Sequence, residues 1–520
     1  MLIRGGLVMP GDGPGFWADV ALRQDRIIDV APAISIQRAR EVIDATGCWV
    51  CPGFIDMHAH SALQPFRDPW LRPKIAQGFT TELIHPDGLA PAPVRPQRRA
   101  ERQAYLRALE GPGPADWTWS RFAEFLRALA GTRPTTTLVP AVGHNAVRDY
   151  VMGSGNRRPT AEEVRAMRRQ IRLAGDLGAR ALSLGLIYLP GVYAETDELV
   201  WLAEEAAQAG LLLMPHMRNE SAGVVDAVQE MVAVAQSSGV SLHLSHLKVV
   251  GHAHLVGPML DTIEAARRTI DITFDQYPYG AGSTLLSALL PPWALAGGPA
   301  QMMARLTHPE SRRRITEDIT LGLPGWENLL RSCGAENIVI AGMESPRPDD
   351  VGKTLGQVAQ QRGVPPIDAM MDLLSENALN VTMVDHYASE EVVRTIFRHP
   401  LALVGTDGIF VGKPHPRLFG TAGRVLGRYA LREGLVSAEE AIARLTDKAA
   451  RRLGLHDRGR IGPGLRADIV VLDPASYGDC ASYEEPQCVP GGVACVLVGG
   501  QVVWRGGEVT GKRPGGVWGQ

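Results

Sequence analysis

Cysteine, lysine and long apolar runs are all scarce in this chain, and each shortage narrows what it can be. Six cysteines in 520 residues (Cys48, Cys51, Cys333, Cys480, Cys488 and Cys495) do not make a disulfide framework. Cys48 and Cys51 form one Cys-x-x-Cys with no second pair. Their odd separation sends them to opposite faces of a strand, so they read as packing residues. Basic residues are mostly arginine, and a net charge of -3 argues against a nucleic-acid surface or an acidic tail. No apolar run reaches the roughly 20 residues that a bilayer crossing needs, and Met1 to Gly6 lack the charged and apolar regions of a signal peptide. The 57 glycines and 37 prolines are spread out, without low-complexity tracts or solenoid repeats. A cytoplasmic protein with neither nucleic acid nor membrane as partner is expected, and its oligomeric state is left open.

What is present centres on one stretch, Pro52 to Ser61. Its apolar start reads as a buried strand that ends in His58 and His60. Side chains two apart on a strand point the same way, so the pair forms half of a metal site. A lone His-x-His supports two polar residues at a strand end about as well, so the reading needs partners downstream.

The two ends of the chain are rich in short alternating strands. Asp19 to Arg23 turns at Gln24-Asp25 and returns as Arg26 to Val30; Val493 to Val498 turns at Gly499-Gly500 into Gln501 to Trp504. Residues 1–51 and 458–520 are therefore expected to build one small β-sandwich domain together. The middle, 52–457, alternates strand and helix as parallel βα units do. Strand candidates end at His60, Ile84, Gly143, Gly185, Met217, Leu247, Pro278 and Asp407, which predicts a (β/α)8 TIM-like barrel with its chemistry at the C-terminal strand ends. Thr160 with Glu163 and Ser437 with Glu440 open helices. Residues 279–400 far exceed an ordinary βα connection and are expected to form a lid over the barrel mouth. A rival reading makes Asn337 to Ala341 a barrel strand.

Polar residues recur at the strand ends: His85-Pro86-Asp87, His216, His246 with Lys248, and Asp407. One such histidine is usually structural; several on the units of one barrel point to a metal centre. Imidazole and carboxylate ligands suit zinc, and an open coordination position lowers the pKa of water there to about 7. Asp407 is then the base that takes a proton from this water and passes it to the leaving group.

With these segments in hand, the sequence resembles the amidohydrolase superfamily and, within it, the N-acyl-D-amino-acid deacylases (D-aminoacylases). The likeness spans nearly the whole chain. Its most specific carriers are Ser245-His246-Leu247-Lys248, Asp275-Gln276-Tyr277-Pro278-Tyr279 and His415-Pro416-Arg417, joined by His216 to Glu220 and Gly405 to Gly408. The resemblance implies metal ligands at His58, His60, His216 and His246 and a general base at Asp407. It also implies that Lys248, Tyr277, Ser283 and Arg417 hold the substrate α-carboxylate, a role that suits a two-donor arginine fork.

The family commonly places a cysteine ligand in the turn after the second strand, where this chain has Asp87. A carboxylate makes the site harder and admits cobalt, manganese or nickel beside zinc. Three roles stay open for Asp87: bridging two ions, binding one, or binding none. Glu82 and His85 are the spare candidates, and one or two Zn2+ ions are expected. No lysine falls in the fourth strand, Ala181 to Gly185, so a carboxylated lysine is not expected. The function implied is hydrolysis of N-acyl-D-amino acids, a small-molecule amide substrate. The alternatives are a cyclic amide or a dipeptide on the same scaffold, and, from another class, a non-catalytic protein of this fold.

Overall fold

Eight apolar segments, each flanked by turn residues, form the strands of one parallel sheet: β1 (Phe54–Ala59), β2 (Phe79–Ile84), β3 (Thr137–Gly143), β4 (Ala181–Gly185), β5 (Leu212–His216), β6 (Leu242–Leu244), β7 (Ile272–Gln276) and β8 (Ala402–Val404). They pair in sequence order. A parallel bridge between Ala59 and Gly408 brings the last unit back beside the first. Both faces of these strands are covered, which is why they read as continuous apolar runs rather than alternating ones. This is the (β/α)8 barrel expected from the spacing, and its strands end at or just before the residues anticipated. The computed structural model from which this architecture is read describes residues 1–343 and 348–520.

Strands from both ends of the chain pair in a second sheet of nine strands. Its centre is the antiparallel pairing of Trp49–Pro52 with Ile469–Leu472, so the last quarter of the chain docks onto the first. Alternation sorts the side chains: Ile469 and Val471 pack with Val20, Ile27 and Leu497, whereas Val470 and Leu472 pack toward Tyr429 and Phe54. Cys51 lies in the latter layer and Cys48 beside the former, on opposite faces as expected. Past this sheet, Gly516–Val517 pairs with β3 of the barrel. Cys480 and Cys488 form a disulfide in the loop before Val493, while the other four cysteines are free.

Between β7 and β8 lies a three-stranded antiparallel sheet of Ala281–Leu285, Ile338–Met343 and Val381–His386, with helices around a core of their own. The segment weighed as a rival barrel strand, Asn337 to Ala341, belongs here; Ile338–Met343 pairs antiparallel with Val381–His386. Residues of this insertion, among them Ser283, Glu327, Leu329 and Asp385, line the cavity at the barrel mouth.

Candidate active site

The barrel ends place four histidines and two aspartates in one buried cluster. His58 lies near the end of β1 and His60 just past it; Asp87 follows β2, His216 ends β5, and His246 and Asp407 sit just past β6 and β8. Candidate ligand atoms of His58, His60, Asp87 and Asp407 lie within 4.8 Å of one another, as do those of Asp87, His216 and His246. Asp87 belongs to both groups and divides its oxygens between them. Its Oδ2 is 3.5 Å from His58 Nε2 and 3.6 Å from His60 Nε2. Its Oδ1 is 3.4 Å from His246 Nε2 and 3.8 Å from His216 Nδ1. Asp407 Oδ1 closes the first group, 3.1 Å from His60 Nε2 and 3.6 Å from His58 Nε2. Asp87, His246 and Asp407 all have left-handed backbones, with φ of 55°, 34° and 48°. Strain of that kind persists where the surroundings hold a side chain in place, and it concentrates at functional sites.

Charge in the cluster is unbalanced by burial alone. Burial disfavours the imidazolium of His58, yet Asp87 and Asp407 outweigh it and raise its pKa to about 10. At His216 burial prevails over Glu220 and lowers the pKa to about 4. Burial opposes ionisation of Asp87, but His58 and His246 hold it well below the usual carboxylate range. Both ring nitrogens of His58, both of His216 and Oδ1 of Asp87 are buried without a hydrogen-bond partner. Such atoms are rarely left unsatisfied. Four imidazoles and a shared carboxylate, aimed at one another at 3.4–3.8 Å, are a donor set that fits one or two divalent cations.

A second layer orients these donors. His60 Nδ1 faces Glu110 Oε1 at 2.8 Å, and Glu110 also accepts the Ala62 N–H at 3.1 Å. Asp275 accepts from the His246 N–H at 3.1 Å and faces His243 Nε2 at 3.1 Å and His58 Nδ1 at 3.8 Å. Carboxylates in this position fix the ring orientation and tautomer of a ligating histidine. Glu110 sits at the end of helix Arg99–Glu110, far from any motif.

The amidohydrolase family model matches residues 41–329 and 333–504. The chain belongs to this family. It is 32% identical to a D-aminoacylase of Alcaligenes xylosoxydans xylosoxydans, with 99% of this chain and 97% of the relative covered. An N-acyl-D-glutamate deacylase of the same organism is 34% identical, over 99% of this chain and 95% of its own. Among solved structures, N-acyl-D-glutamate deacylase from Bordetella bronchiseptica, complexed with zinc and a phosphonate mimic of the tetrahedral intermediate, superposes with a TM-score of 0.84 at 31% identity, covering 100% of this chain and 99% of that one. The resemblance read from the motifs is borne out over the whole length.

In this amidohydrolase the four residues expected to hold a substrate carboxylate line the same cavity as His60, Asp87, His216, His246 and Asp407. Lys248 Nζ is 2.6 Å from Glu220 Oε2 and 2.8 Å from His246 Nδ1. The Arg417 guanidinium lies 4.4 Å from the Tyr277 ring centre, and its Nη2 donates to the Ser283 carbonyl at 3.0 Å. Tyr277 is buried and its hydroxyl accepts from Tyr387 at 3.2 Å. The spare metal candidates lie apart from the cluster. Glu82 accepts hydrogen bonds from Ser61 at 2.5 Å and Thr136 at 2.6 Å, and burial raises its pKa. His85 faces the Ala141 carbonyl at 2.9 Å and packs against Phe122 and Phe125. Two further carboxylates border the cavity: burial lifts Glu327 to about 8 and Asp385 to about 6.

Proposed function

We propose that the chain is a metal-dependent amidohydrolase that cleaves N-acyl-D-amino acids to a carboxylate and the free D-amino acid. The observation that carries this reading is the cavity that joins the histidine–aspartate cluster to Lys248, Tyr277, Ser283 and Arg417, in a chain about one-third identical to D-amino-acid deacylases along its whole length. His58, His60, Asp87, His216 and His246 are the residues that would hold Zn2+, or another divalent cation, with Asp87 between two sites. When bound, the ion supplies Lewis acidity at the acyl carbonyl and makes water a nucleophile near pH 7.

The remaining steps belong to the chain. Asp407 takes a proton from the attacking water on its carboxylate and delivers it to the departing amine. Arg417, Lys248, Tyr277 and Ser283 receive the α-carboxylate, and the fork of Arg417 sets its plane. Holding that carboxylate beside the metal centre brings the scissile carbonyl to a fixed place, which is where rate is gained by orientation. The buried walls exclude bulk water and strengthen each of these contacts.

The runner-up is a cyclic-amide hydrolase; a D-hydantoinase shares the fold alone, with a TM-score of 0.54 at 15% identity. A non-catalytic protein of this fold has no reason to keep four histidines and both aspartates in the cluster. A cytoplasmic location is part of the proposal: among the described residues no helix is long and apolar enough to cross a membrane.

The test is hydrolysis of N-acetyl-D-methionine against N-acetyl-L-methionine by protein of known metal content, beside Asp87→Ala. D-selective turnover with metal lost from the variant is expected. Bound metal without hydrolysis of either enantiomer moves the assignment to another amide, and no metal with no turnover after reconstitution removes the hydrolase reading.

A further inference from the structure

Whole-chain identity of 34%, 32% and 31% to deacylases named for D-glutamate, D-amino acids in general and D-aspartate cannot say which side chain this enzyme takes. The walls of its cavity can. The catalytic cavity shares Ile187 and Glu327 with a second cavity of about 300 Å³. That size suits a branched or aromatic side chain, and its walls include Val192, Leu290, Leu295 and Trp326. Glu327, in the wall common to both cavities, accepts the Glu220 N–H on Oε1 at 2.6 Å. Glu220 is in turn the partner of Lys248. The common wall is thus linked through Glu220 to Lys248, on the side proposed to bind the carboxylate, from which the substituent on the substrate's Cα also projects.

Resting on the deacylase reading, we infer that this second cavity is the side-chain subsite and that it selects neutral, apolar D-amino acids while rejecting D-glutamate and D-aspartate. An acidic side chain needs an uncommitted cation. Among the described residues, the lysine and arginines lining the two cavities are Lys248, Arg417 and Arg218. In the proposed reading Lys248 and Arg417 are taken by the substrate's α-carboxylate, and Arg218 faces Glu230 at 3.1 Å while donating to the Ala194 carbonyl at 2.8 Å. Asp385, which lines the catalytic cavity, disfavours a second carboxylate there. Desolvating a carboxylate against leucine and tryptophan without a partner is strongly unfavourable, whereas burying methylene and methyl groups there is favourable.

The experiment compares kcat/KM for the N-acetyl derivatives of D-methionine, D-leucine, D-glutamate and D-aspartate with the metal-loaded enzyme. The apolar pair is expected to exceed the acidic pair by at least about 100-fold. Trp326→Ala, at the cavity wall, should raise KM for D-leucine about 10-fold, with the value for D-alanine unchanged. Hydrolysis of D-glutamate as fast as D-methionine overturns the inference and leaves the deacylase reading standing. An effect of Trp326→Ala that follows acyl-chain length instead of side chain also overturns it. Failure of the wild type on all four compounds removes the deacylase reading, and this inference with it.

Discussion

Arg417 and Asp407 form a buried ion pair, Nη1 to Oδ2 at 2.9 Å, at the point where the histidine–aspartate cluster meets the proposed carboxylate-binding side. Burial alone would keep Asp407 protonated; Arg417, with His58, reverses this and holds it far below the usual carboxylate range. A general base must be ionised, so the pair would keep Asp407 competent for its proposed role throughout the neutral range. Arg417→Ala should therefore move the acid limb of the kcat/KM profile to higher pH and lower kcat/KM by about 100-fold or more at pH 7. Leaving one member of a buried pair uncompensated also costs about 3–5 kcal/mol, visible as a lower midpoint in denaturant. An unmoved acid limb would separate Arg417 from the base.

Glu110 makes a more selective prediction. It touches His60 and the Ala62 N–H but has no place in the cavity lining. Glu110→Gln keeps the volume while weakening the partner of Nδ1. Metal affinity, measured by competition with a chelator, should fall about 10–100-fold. Saturating metal should restore turnover, which a general loss of folding would not allow.

The unequal legibility of these residues has a physical basis. The eight strands could be read because each is a short apolar run bounded by turns, and His58 and His60 share a face by the period of a strand. Glu110 was not legible: it ends a helix inside residues 88–135, and nothing local marks a carboxylate that meets an imidazole 50 residues away. Asp275 and Glu220 lay within quoted motifs, but their partners His243 and Lys248 come from other turns of the chain and depend on packing. The Cys480–Cys488 bridge was missed for a simpler reason. Two cysteines on either side of a loop carry no periodic pattern, and pairing is decided by how that loop folds back.

Glu327 ties stability to pH. Its folded pKa is raised by burial and by Glu220, from the ordinary 4.5 to about 8. Between these values the unfolded chain has lost a proton that the folded chain retains, so stability falls as pH rises from about 4.5 to 8 and levels off above. Glu327→Gln should remove this slope, gaining on the order of 1 kcal/mol or more over wild type at pH 8 and little at pH 5. Urea denaturation at the two pH values measures it, and equal gains at both would show that Glu327 does not titrate in this window.

The disulfide-closed loop of the terminal β sheet packs against the segment that carries His415 and Arg417. Gly478 and Gly491 bridge its base, and Cys480–Cys488 closes it. Its backbone lies against the helix that begins at Arg417 and continues through Gly423–Arg432, where a Cβ on Gly423 would come within 2.8 Å of the Asp479 nitrogen. From the loop, the Tyr483 ring meets His415 edge-on at 5.1 Å and His386 at 4.8 Å. His415 Nδ1 in turn accepts the Arg417 N–H at 3.0 Å. Among the described residues Tyr483 makes its contacts through its ring, so Tyr483→Phe should behave as wild type while Tyr483→Ala lets His415 and Arg417 shift. The expected result is a KM for N-acetyl-D-methionine raised about 10-fold in Tyr483→Ala, with kcat changed far less, because in the proposed mode Arg417 would bind the carboxylate in ground and transition states alike. Equal damage in both variants would place the role of Tyr483 in its hydroxyl, and wild-type KM in Tyr483→Ala would show that Arg417 keeps its position without the ring.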